Sequence, residues 1–359
     1  MGLIKALQDH DFTVVVITPI DDFINHIYKA DVEYEPLYTL TRKSKNPLKD
    51  FRLYQEFYRI YRKIKPDVVI QYTIKPNIYG GLAAHRLGIK TISVIPGLGH
   101  AFVHKGLLQN ITTYLYKKSL RHSSKVIFEN NDDRLFFLKK GIIKQEQSET
   151  FKGCGVDISY FKPIPKKTQT DGKVFLFMGR LILEKGIREF VEAANRIAMN
   201  DSTAQFWIIG HIDEENPSAV PKADFLKWIA HPQIKYLGFK DDVRQIISDA
   251  DCVVLPTYYP EGIPRVLQEG MAMEKPIITT DTNGCREAVE AGKNGWLVKP
   301  SSADDLYNKM TTVTKLSSDQ LLEMGKYGRE KAIKEFDERI SIERYIDIVK
   351  TILSASRTK

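Results

Sequence analysis

With 359 residues, the chain is long enough to form two hydrophobic cores. Its hydrophobic content of 43% is ordinary for a globular protein and excludes a largely disordered chain. The longest apolar runs, such as residues 12–17, have the length of a strand, which predicts no transmembrane helix. No basic and apolar leader opens the chain, and its three cysteines lack metal-ligand spacing, so we expect an unsecreted protein with reduced thiols.

The excess positive charge lies in the first half of the chain. Residues 1–157 contain 24 Lys and Arg against 16 Asp and Glu, a balance of +8, whereas residues 158–359 contain 29 of each. A cationic surface with interspersed aromatic residues suits an anionic membrane or an anionic acceptor, and an ordinary solvated face explains it equally well. Because no recognition motif accompanies the charge, nucleic acid is not an expected partner.

Short apolar runs alternate with amphipathic segments along the chain, which predicts an α/β fold with parallel sheets. In the first half we expect strands at 12–18, 67–72, 91–95 and 125–129. Helices are expected at 2–9, 48–64, 77–87, 107–121 and 132–140. The glycine-containing and polar stretch from Gly153 to Gly172 indicates a domain junction. In the second half we expect strands at 173–178, 204–209, 234–237, 251–255 and 276–279, helices at 187–199 and 265–274, and a final helix at 338–355.

The loop after the first strand of the second half has the sequence Gly179-Arg-Leu-Ile-Leu-Glu-Lys-Gly186. Arg180 could bind phosphate oxygens as a fork and Lys185 as a compact charge. The stretch lacks the glycine spacing and the Ser/Thr of a nucleoside-triphosphatase loop, and its spacing alone also fits two surface cations.

Two carboxylates, Glu261 and Glu269, flank the start of the helix predicted at 265–274. Pro264 suits the first helical position, and the first turn offers unpaired N–H groups with the positive end of the helix dipole. The apolar runs on either side make this a βαβ unit, whose ligands collect at the carboxyl ends of the strands. This layout would hold a sugar nucleotide at two points, with its diphosphate between them.

The stretch from Asp251 to Pro300 resembles the retaining glycosyltransferases of family 4, through the motifs that begin at Glu261, Glu269, Pro276, Gly284 and Gly295. The resemblance covers nearly the whole chain and implies the GT-B architecture, in which two Rossmann-like domains with parallel sheets face each other across a cleft. Residues 1–157 would form the N-terminal acceptor-binding domain, and residues 158–337 would form the C-terminal donor-binding domain. The final helix, with the residues to 359, would pack back on the first domain.

The resemblance implies a role for each residue of the donor motifs. Arg180 and Lys185 would stabilise the leaving diphosphate, Glu261 would contact the donor sugar, and Glu269 would hold the ribose hydroxyls. The remaining donor-binding positions would be Gly179, Gly210, Phe239, Gly262, Ile263, Pro264 and Arg265. No cofactor or metal is expected, because the two cations would neutralise the diphosphate.

The acceptor side is expected in the first half. Pro96-Gly-Leu-Gly-His100 resembles a loop of bacterial transferases that build polyprenyl-diphosphate-linked glycans, including α-1,3-N-acetylgalactosaminyltransferases, and Gly97 and Gly99 would permit close approach of a ligand. Lys75, in another loop that follows a strand, is a further acceptor-side candidate. His100, as a catalytic candidate, and His104, on the acceptor side, would touch the sugar or the acceptor; a packing role fits either histidine as well.

Relatives begin with a strand and a glycine-containing loop, whereas this chain opens at Gly2 with what resembles the next helix. We therefore expect the first strand of the N-terminal domain to be missing.

The expected function is transfer of a hexose or N-acetylhexosamine from a nucleotide sugar to a lipid-linked glycan, with retention of the anomeric configuration. A UDP sugar is the preferred candidate for the donor. The protein would act in surface-polysaccharide or glycan biosynthesis, as a cytoplasmic, peripheral protein of the inner membrane face. A non-catalytic nucleotide-sugar or glycan-binding protein and a GT-B sugar-nucleotide epimerase remain as alternatives. A nicotinamide dehydrogenase is disfavoured, because no Gly-x-Gly-x-x-Gly follows an early strand.

Overall fold

The computed structural model describes residues 2–20, 24–41, 46–99, 102, 106–201, 203–213, 216 and 218–357. Its first half contains α1 (Gly2–Gln8), β1 (Val15–Thr18), α2 (Ile24–Lys29), β2 (Glu33–Pro36), α3 (Pro47–Ile64), β3 (Val68–Tyr72), a π-helical turn (Pro76–Gly80), α4 (Gly81–Arg86), β4 (Lys90–Ile95), α5 (Leu107–Leu120), β5 (Lys125–Phe128), α6 (Asn131–Lys139) and β6 (Ser148–Thr150).

The second half contains β7 (Val174–Met178), a 3₁₀ turn (Leu183–Lys185), α7 (Ile187–Ala198), β8 (Gln205–Ile209), α8 (Lys222–Trp228), β9 (Ile234–Tyr236), α9 (Arg244–Asp249), β10 (Cys252–Leu255), α10 (Arg265–Ala272), β11 (Ile277–Thr280), α11 (Cys285–Ala288), β12 (Gly295–Val298), α12 (Ala303–Thr314), α13 (Ser318–Glu335) and α14 (Glu338–Arg357). In the described part of the chain, no helix combines the length and the apolarity that crossing a membrane requires.

The chain forms two compact units. The first unit comprises Met1–Phe151 together with Glu338–Lys359, and the second comprises Lys152–Asp337. The chain thus passes from the first unit to the second after Phe151, six residues before the boundary drawn from the sequence at Asp157 (157 − 151), and α14 belongs to the first unit.

All strands of the first unit are paired in parallel. β3, β4, β5 and β6 form one sheet in that order, and β1 pairs with β2. Hydrophobic cores lie beside these strands: one packs Leu53, Phe57 and Ile60 of α3 against α4, and a second packs Tyr345 and Val349 of α14 near Phe151. A third packs Tyr116 and Leu120 of α5 against Phe128 and Phe137. The amphipathic α3 begins where the Asn46 side chain accepts from the Leu48 N–H, next to Pro47, and it ends at Lys65 in a left-handed conformation.

The second unit is built on one parallel sheet with the strand order β12-β11-β10-β7-β8-β9. Strands β7 and β10 are adjacent in its centre, and every residue of either strand is buried. From β7 the chain first builds outward to β8 and β9, then returns to the other side of β7 through β10. The strand order therefore reverses between β7 and β10, and ligands of open α/β sheets bind at the carboxyl ends of strands beside such a reversal.

All nine predicted strands are found, each with at least one end shifted by a residue or more, and several other elements were missed. The strands β2 (Glu33–Pro36) and β6 (Ser148–Thr150) were not predicted and carry charged residues or proline. The helix α2, also not predicted, is only six residues long. The sequence prediction for α10 was right at its start, Arg265, but wrong at its end and in placing Pro264 at the first helical position. Pro264 has φ −58° and ψ 127°, so it precedes the first helical residue, and the helix ends at Ala272 because Glu274 is left-handed.

Candidate functional site

The loop after β7 places two cations at the carboxyl end of that strand. Arg180 follows Gly179 directly, and the 3₁₀ turn that ends at Lys185 leads into α7. Gly186, between the turn and the helix, has φ 77°, and a Cβ on it would lie 2.2 Å from the Pro256 carbonyl oxygen. Only glycine allows this turn to pack so closely against the end of β10.

The loop after β10 carries the first carboxylate of the pair. It runs from Pro256 through Glu261 to Pro264, and α10 then begins at Arg265. In the described part of the chain no side chain caps α10, so its first N–H groups are not occupied by a capping residue. Gly284 packs against this loop so closely that a Cβ there would lie 1.8 Å from the Gly262 carbonyl oxygen.

The two loops meet in an ion pair between Lys185 and Glu261. The Lys185 Nζ lies 2.5 Å and 2.7 Å from the two carboxylate oxygens of Glu261. The Lys185 side chain is only 11% exposed, and Thr257 Oγ1 donates to Glu261 Oε1 over 3.1 Å. Residues 76 positions apart are thereby held as one charged unit at the point where the strand order reverses.

Arg180 lies close to the same group of residues. Its guanidinium donates to Asp213 over 3.1 Å, and its Cζ lies 5.8 Å from the centre of the Tyr259 ring. The Lys185 Nζ lies at the same distance from that ring. The aromatic face of Tyr259 thus lies near both cations that the sequence predicted for a diphosphate.

Glu269, inside α10, has a perturbed carboxyl. Its side chain is 14% exposed and accepts from Arg265 Nε over 3.1 Å. Burial raises the pKa of Glu269 from 4.5 to about 7, and the Arg265 charge lowers it only in part. A buried carboxyl with a single cationic partner retains acceptor capacity, which suits hydroxyl donors of a ligand.

Glu184 holds the loop after β10 in place through hydrogen bonds, and the sequence did not point to it. Its carbonyl oxygen accepts from the N–H groups of Tyr258 and Tyr259, and its carboxylate accepts from Ser218 Oγ. Thr257, Tyr259 and Asp213 were missed as well. The only signal for them in the sequence is their place just after a predicted strand, a place that many structural residues share.

Two of the predicted donor-binding positions, Gly210 and Phe239, follow β8 and β9. Gly210 packs against the loop after β7, since a Cβ on it would lie 1.8 Å from the Gly179 carbonyl oxygen. Phe239 is exposed, with its ring 6.1 Å from that of His211. His211 is a further residue that the sequence did not point to. Of the remaining positions predicted to bind the donor, Ile263 is buried and Arg265 is exposed beside Glu269.

The acceptor-side predictions fall in the first unit. Gly97 and Gly99 lie in the loop after β4, and a Cβ on Gly99 (φ 69°) would lie 3.3 Å from Ile74 Cδ1, so this loop adjoins the one after β3. Lys75, next in that loop, pairs with Asp50 over 2.9 Å. His100 and His104 lie outside the described residues.

Comparison with known proteins assigns both halves of the chain. The family model described as "Glycosyl transferases group 1" matches residues 161–331, and the one described as "Glycosyl transferase 4-like" matches residues 1–130. A glycosyltransferase from Rickettsia africae has the same fold, with a TM-score of 0.80 at 21% identity over 98% of this chain and 93% of its own. Anabaena HepE, solved in complex with UDP and glucose, also has a TM-score of 0.80, at 19% identity over 97% and 94%.

Among curated relatives, the chain is 28% identical to a Campylobacter jejuni protein over 98% of this chain and 95% of that protein. Its name is N,N'-diacetylbacillosaminyl-diphospho-undecaprenol α-1,3-N-acetylgalactosaminyltransferase. An Escherichia coli UDP-Gal:α-D-GlcNAc-diphosphoundecaprenol α-1,3-galactosyltransferase is 24% identical over 84% and 81%. With both halves matched by glycosyl transferase models and with two α/β units of parallel sheets, the chain belongs to glycosyltransferase family 4 and has the GT-B fold.

Proposed function

We propose that this glycosyltransferase moves a hexose or N-acetylhexosamine from a UDP sugar to a lipid-linked glycan, with retention at the anomeric carbon. The observation that carries the proposal is the Lys185–Glu261 ion pair between the loops after β7 and β10. It joins a cation suited to a diphosphate with a carboxylate suited to sugar hydroxyls, where the sheet reverses its strand order.

The charges of the pair explain how one group can serve both parts of a donor. An ammonium has three N–H donors, and two of them are taken by the oxygens of Glu261, which leaves one for a phosphate oxygen. Arg180 adds a planar guanidinium near the same ring of Tyr259. As the glycosidic bond breaks, negative charge grows on the diphosphate, and fixed cations stabilise that charge without reorganisation.

The carboxylates would select the two ends of the donor. Glu261, held by Lys185 and Thr257, would accept hydrogen bonds from the transferred sugar, and Glu269 would accept them from the ribose. Gly262 and Ile263 would line the pocket between them with backbone groups. The acceptor hydroxyl would bond to the anomeric carbon, the bond to the leaving phosphate would break, and the hydroxyl proton would pass to that phosphate.

The acceptor and the location rest on coarser support. The Campylobacter jejuni and Escherichia coli relatives are named for undecaprenol-linked diphospho-sugars. The balance of +8 in residues 1–157 would favour an anionic membrane surface, so we propose a peripheral protein on the cytoplasmic face of the membrane. Lys75, Gly97 and Gly99 would lie on the acceptor side, with His100 and His104.

The test is turnover of a panel of UDP-hexoses and UDP-N-acetylhexosamines, with and without a polyprenyl-diphosphate glycan. Transfer from one donor supports the proposal if NMR shows that the new linkage has the same anomeric configuration as the donor. Interconversion of the sugar nucleotide without an acceptor would indicate an epimerase, and donor binding without turnover would indicate a binding protein. Glu261→Gln should lose transfer, whereas Glu323→Gln, at an exposed position of α13, should retain it.

A further inference from the structure

The described residues between His211 and Val220, which we call the crossing loop, come after β8 and lie against the loop after β7. The His211 carbonyl oxygen accepts from the Leu181 N–H over 2.9 Å, and the Val220 N–H donates to the Leu181 carbonyl oxygen over 3.3 Å. Between these two positions, the Ser218 carbonyl oxygen accepts from the Leu183 N–H over 2.9 Å. Because these bonds join backbone groups, they fix how the two loops align whatever side chains the loops carry.

This alignment brings the Asp213 carboxylate to Arg180. The Asp213 Oδ2 accepts from Arg180 Nη1 over 3.1 Å, and the two side chains are 20% and 35% exposed. The Asp213 backbone is held as well, because its carbonyl oxygen accepts from the Asn216 N–H over 2.7 Å. In the part of the chain that the structure describes, the Arg180 side chain forms no other hydrogen bond. The carboxylate is therefore the anchor of a long and otherwise rotatable side chain.

The anchored guanidinium keeps most of its capacity to bind an anion. A guanidinium has five N–H donors in a rigid plane, and Asp213 takes one of them. The remaining donors are enough for a forked contact with two phosphate oxygens. The Tyr259 ring, 5.8 Å from the Arg180 Cζ, further limits where the group can rotate. Without these neighbours, Arg180 would lose conformational entropy each time it bound a ligand.

We propose that Asp213 is a positioning residue, which holds the Arg180 guanidinium ready for the diphosphate of the donor. The inference rests on the proposed function, because it takes this diphosphate as the group that Arg180 binds. Asp213 acts through Arg180, since its own negative charge repels a phosphate. A counter-charge alone would weaken binding of a diphosphate, whereas an anchor strengthens it. The two roles therefore predict opposite effects of removing the carboxylate.

The experiment is calorimetry of UDP binding to the full chain and its variants. Asp213→Ala should bind UDP about tenfold more weakly, because the ligand itself must then order Arg180. Asp213→Asn should recover most of this affinity, since the amide oxygen can accept the same hydrogen bond. The matched control is Asp304→Ala, which removes another carboxylate that pairs with an arginine, Arg196, over 2.6 Å. This control should bind UDP like the parent protein.

A double-mutant cycle separates positioning from a general structural role. With Arg180 replaced by alanine, the further change Asp213→Ala should cause no additional loss of UDP affinity, because no guanidinium remains to be positioned. If Asp213 merely kept the crossing loop folded, the second change would add its full loss. A measurement without UDP is the rate at which phenylglyoxal modifies Arg180, mapped by mass spectrometry. This rate should rise severalfold in Asp213→Ala and stay near the parent value in Asp213→Asn and Asp304→Ala.

Three results would overturn the positioning role: equal or tighter UDP binding by Asp213→Ala, an additive loss in the Arg180→Ala background, or an unchanged rate of Arg180 modification. Their meaning is separable from that of a failed reaction. A parent protein that binds no UDP would contradict the proposed function and the target given to Arg180. Weaker UDP binding by Asp213→Ala, in a protein that transfers no sugar from any donor, would support the positioning role and refute the reaction alone.

Discussion

Replacing Glu269 by glutamine should make the second unit more stable at alkaline pH. Burial raises the pKa of this carboxyl from 4.5 to about 7, so the folded state favours its protonated form. The stabilisation is complete below pH 4.5, the unfolded value, and is lost as the pH rises through 7. The difference between the two pKa values corresponds to about 3 kcal/mol in the free energy of unfolding.

Tryptophan fluorescence isolates the unit concerned, because Trp207, Trp228 and Trp296 all lie within Lys152–Asp337 and the chain contains three tryptophans. The measurement is urea unfolding followed by this signal at pH 4.5 and pH 8. Between these pH values, the free energy of unfolding should fall by about 3 kcal/mol more in the parent than in Glu269→Gln. Glu323→Gln, an exposed change in the same unit, should follow the parent at both pH values. Parallel profiles for the parent and Glu269→Gln would refute the reasoning that burial perturbs this carboxyl.

Three further predictions follow from the site. If ionised Glu269 accepts the ribose hydroxyls, UDP-sugar affinity measured by calorimetry should be about tenfold weaker at pH 6 than at pH 8, since the pKa of Glu269 is about 7. The affinity of Glu269→Gln should not change between these pH values. Lys185→Ala and Glu261→Ala should each lower kcat by about 10²-fold or more while circular dichroism stays native; full activity in either variant would refute the assigned roles. Gly186→Ala should destabilise the second unit by about 3 kcal/mol or more, because its Cβ would lie 2.2 Å from a backbone oxygen. Gly292→Ala, also at positive φ but with nothing within 4 Å, should cost about 1–2 kcal/mol, and equal losses at the two glycines would contradict the clash.

The sequence predicts the buried strands well because burial on both faces leaves continuous apolar runs. β7 and β10 have such runs and were predicted with their ends within about one residue. β2 and β6 were not predicted, because Glu33, Glu35 and Glu149 break the pattern and their strands are held by pairing with a neighbour. Pro264 was wrongly placed at the first helical position of α10, since a proline can either begin a helix or precede it and its ψ angle is not legible in the sequence.

The candidate site shows a similar division. The motifs identify Arg180, Lys185, Glu261 and Glu269 as donor-binding residues, and these roles remain predictions. The contact between Lys185 and Glu261 was not predicted, because it depends on β7 and β10 being neighbours while 76 residues separate the two side chains. Glu184 could not be found from the sequence, since its contacts with the Tyr258 and Tyr259 N–H groups use the backbone carbonyl, which any residue has.

The order of the two units along the chain has a consequence for biosynthesis. The second unit is one uninterrupted segment, whereas the first unit includes α14, whose Tyr345 and Val349 are buried beside Phe151. On the ribosome the amino-terminal half would emerge first but lack part of its core until the final helix appears. A chain truncated after Asp337 would therefore retain the whole second unit but lack part of the first unit's core, and it should be protease-resistant only in the second unit.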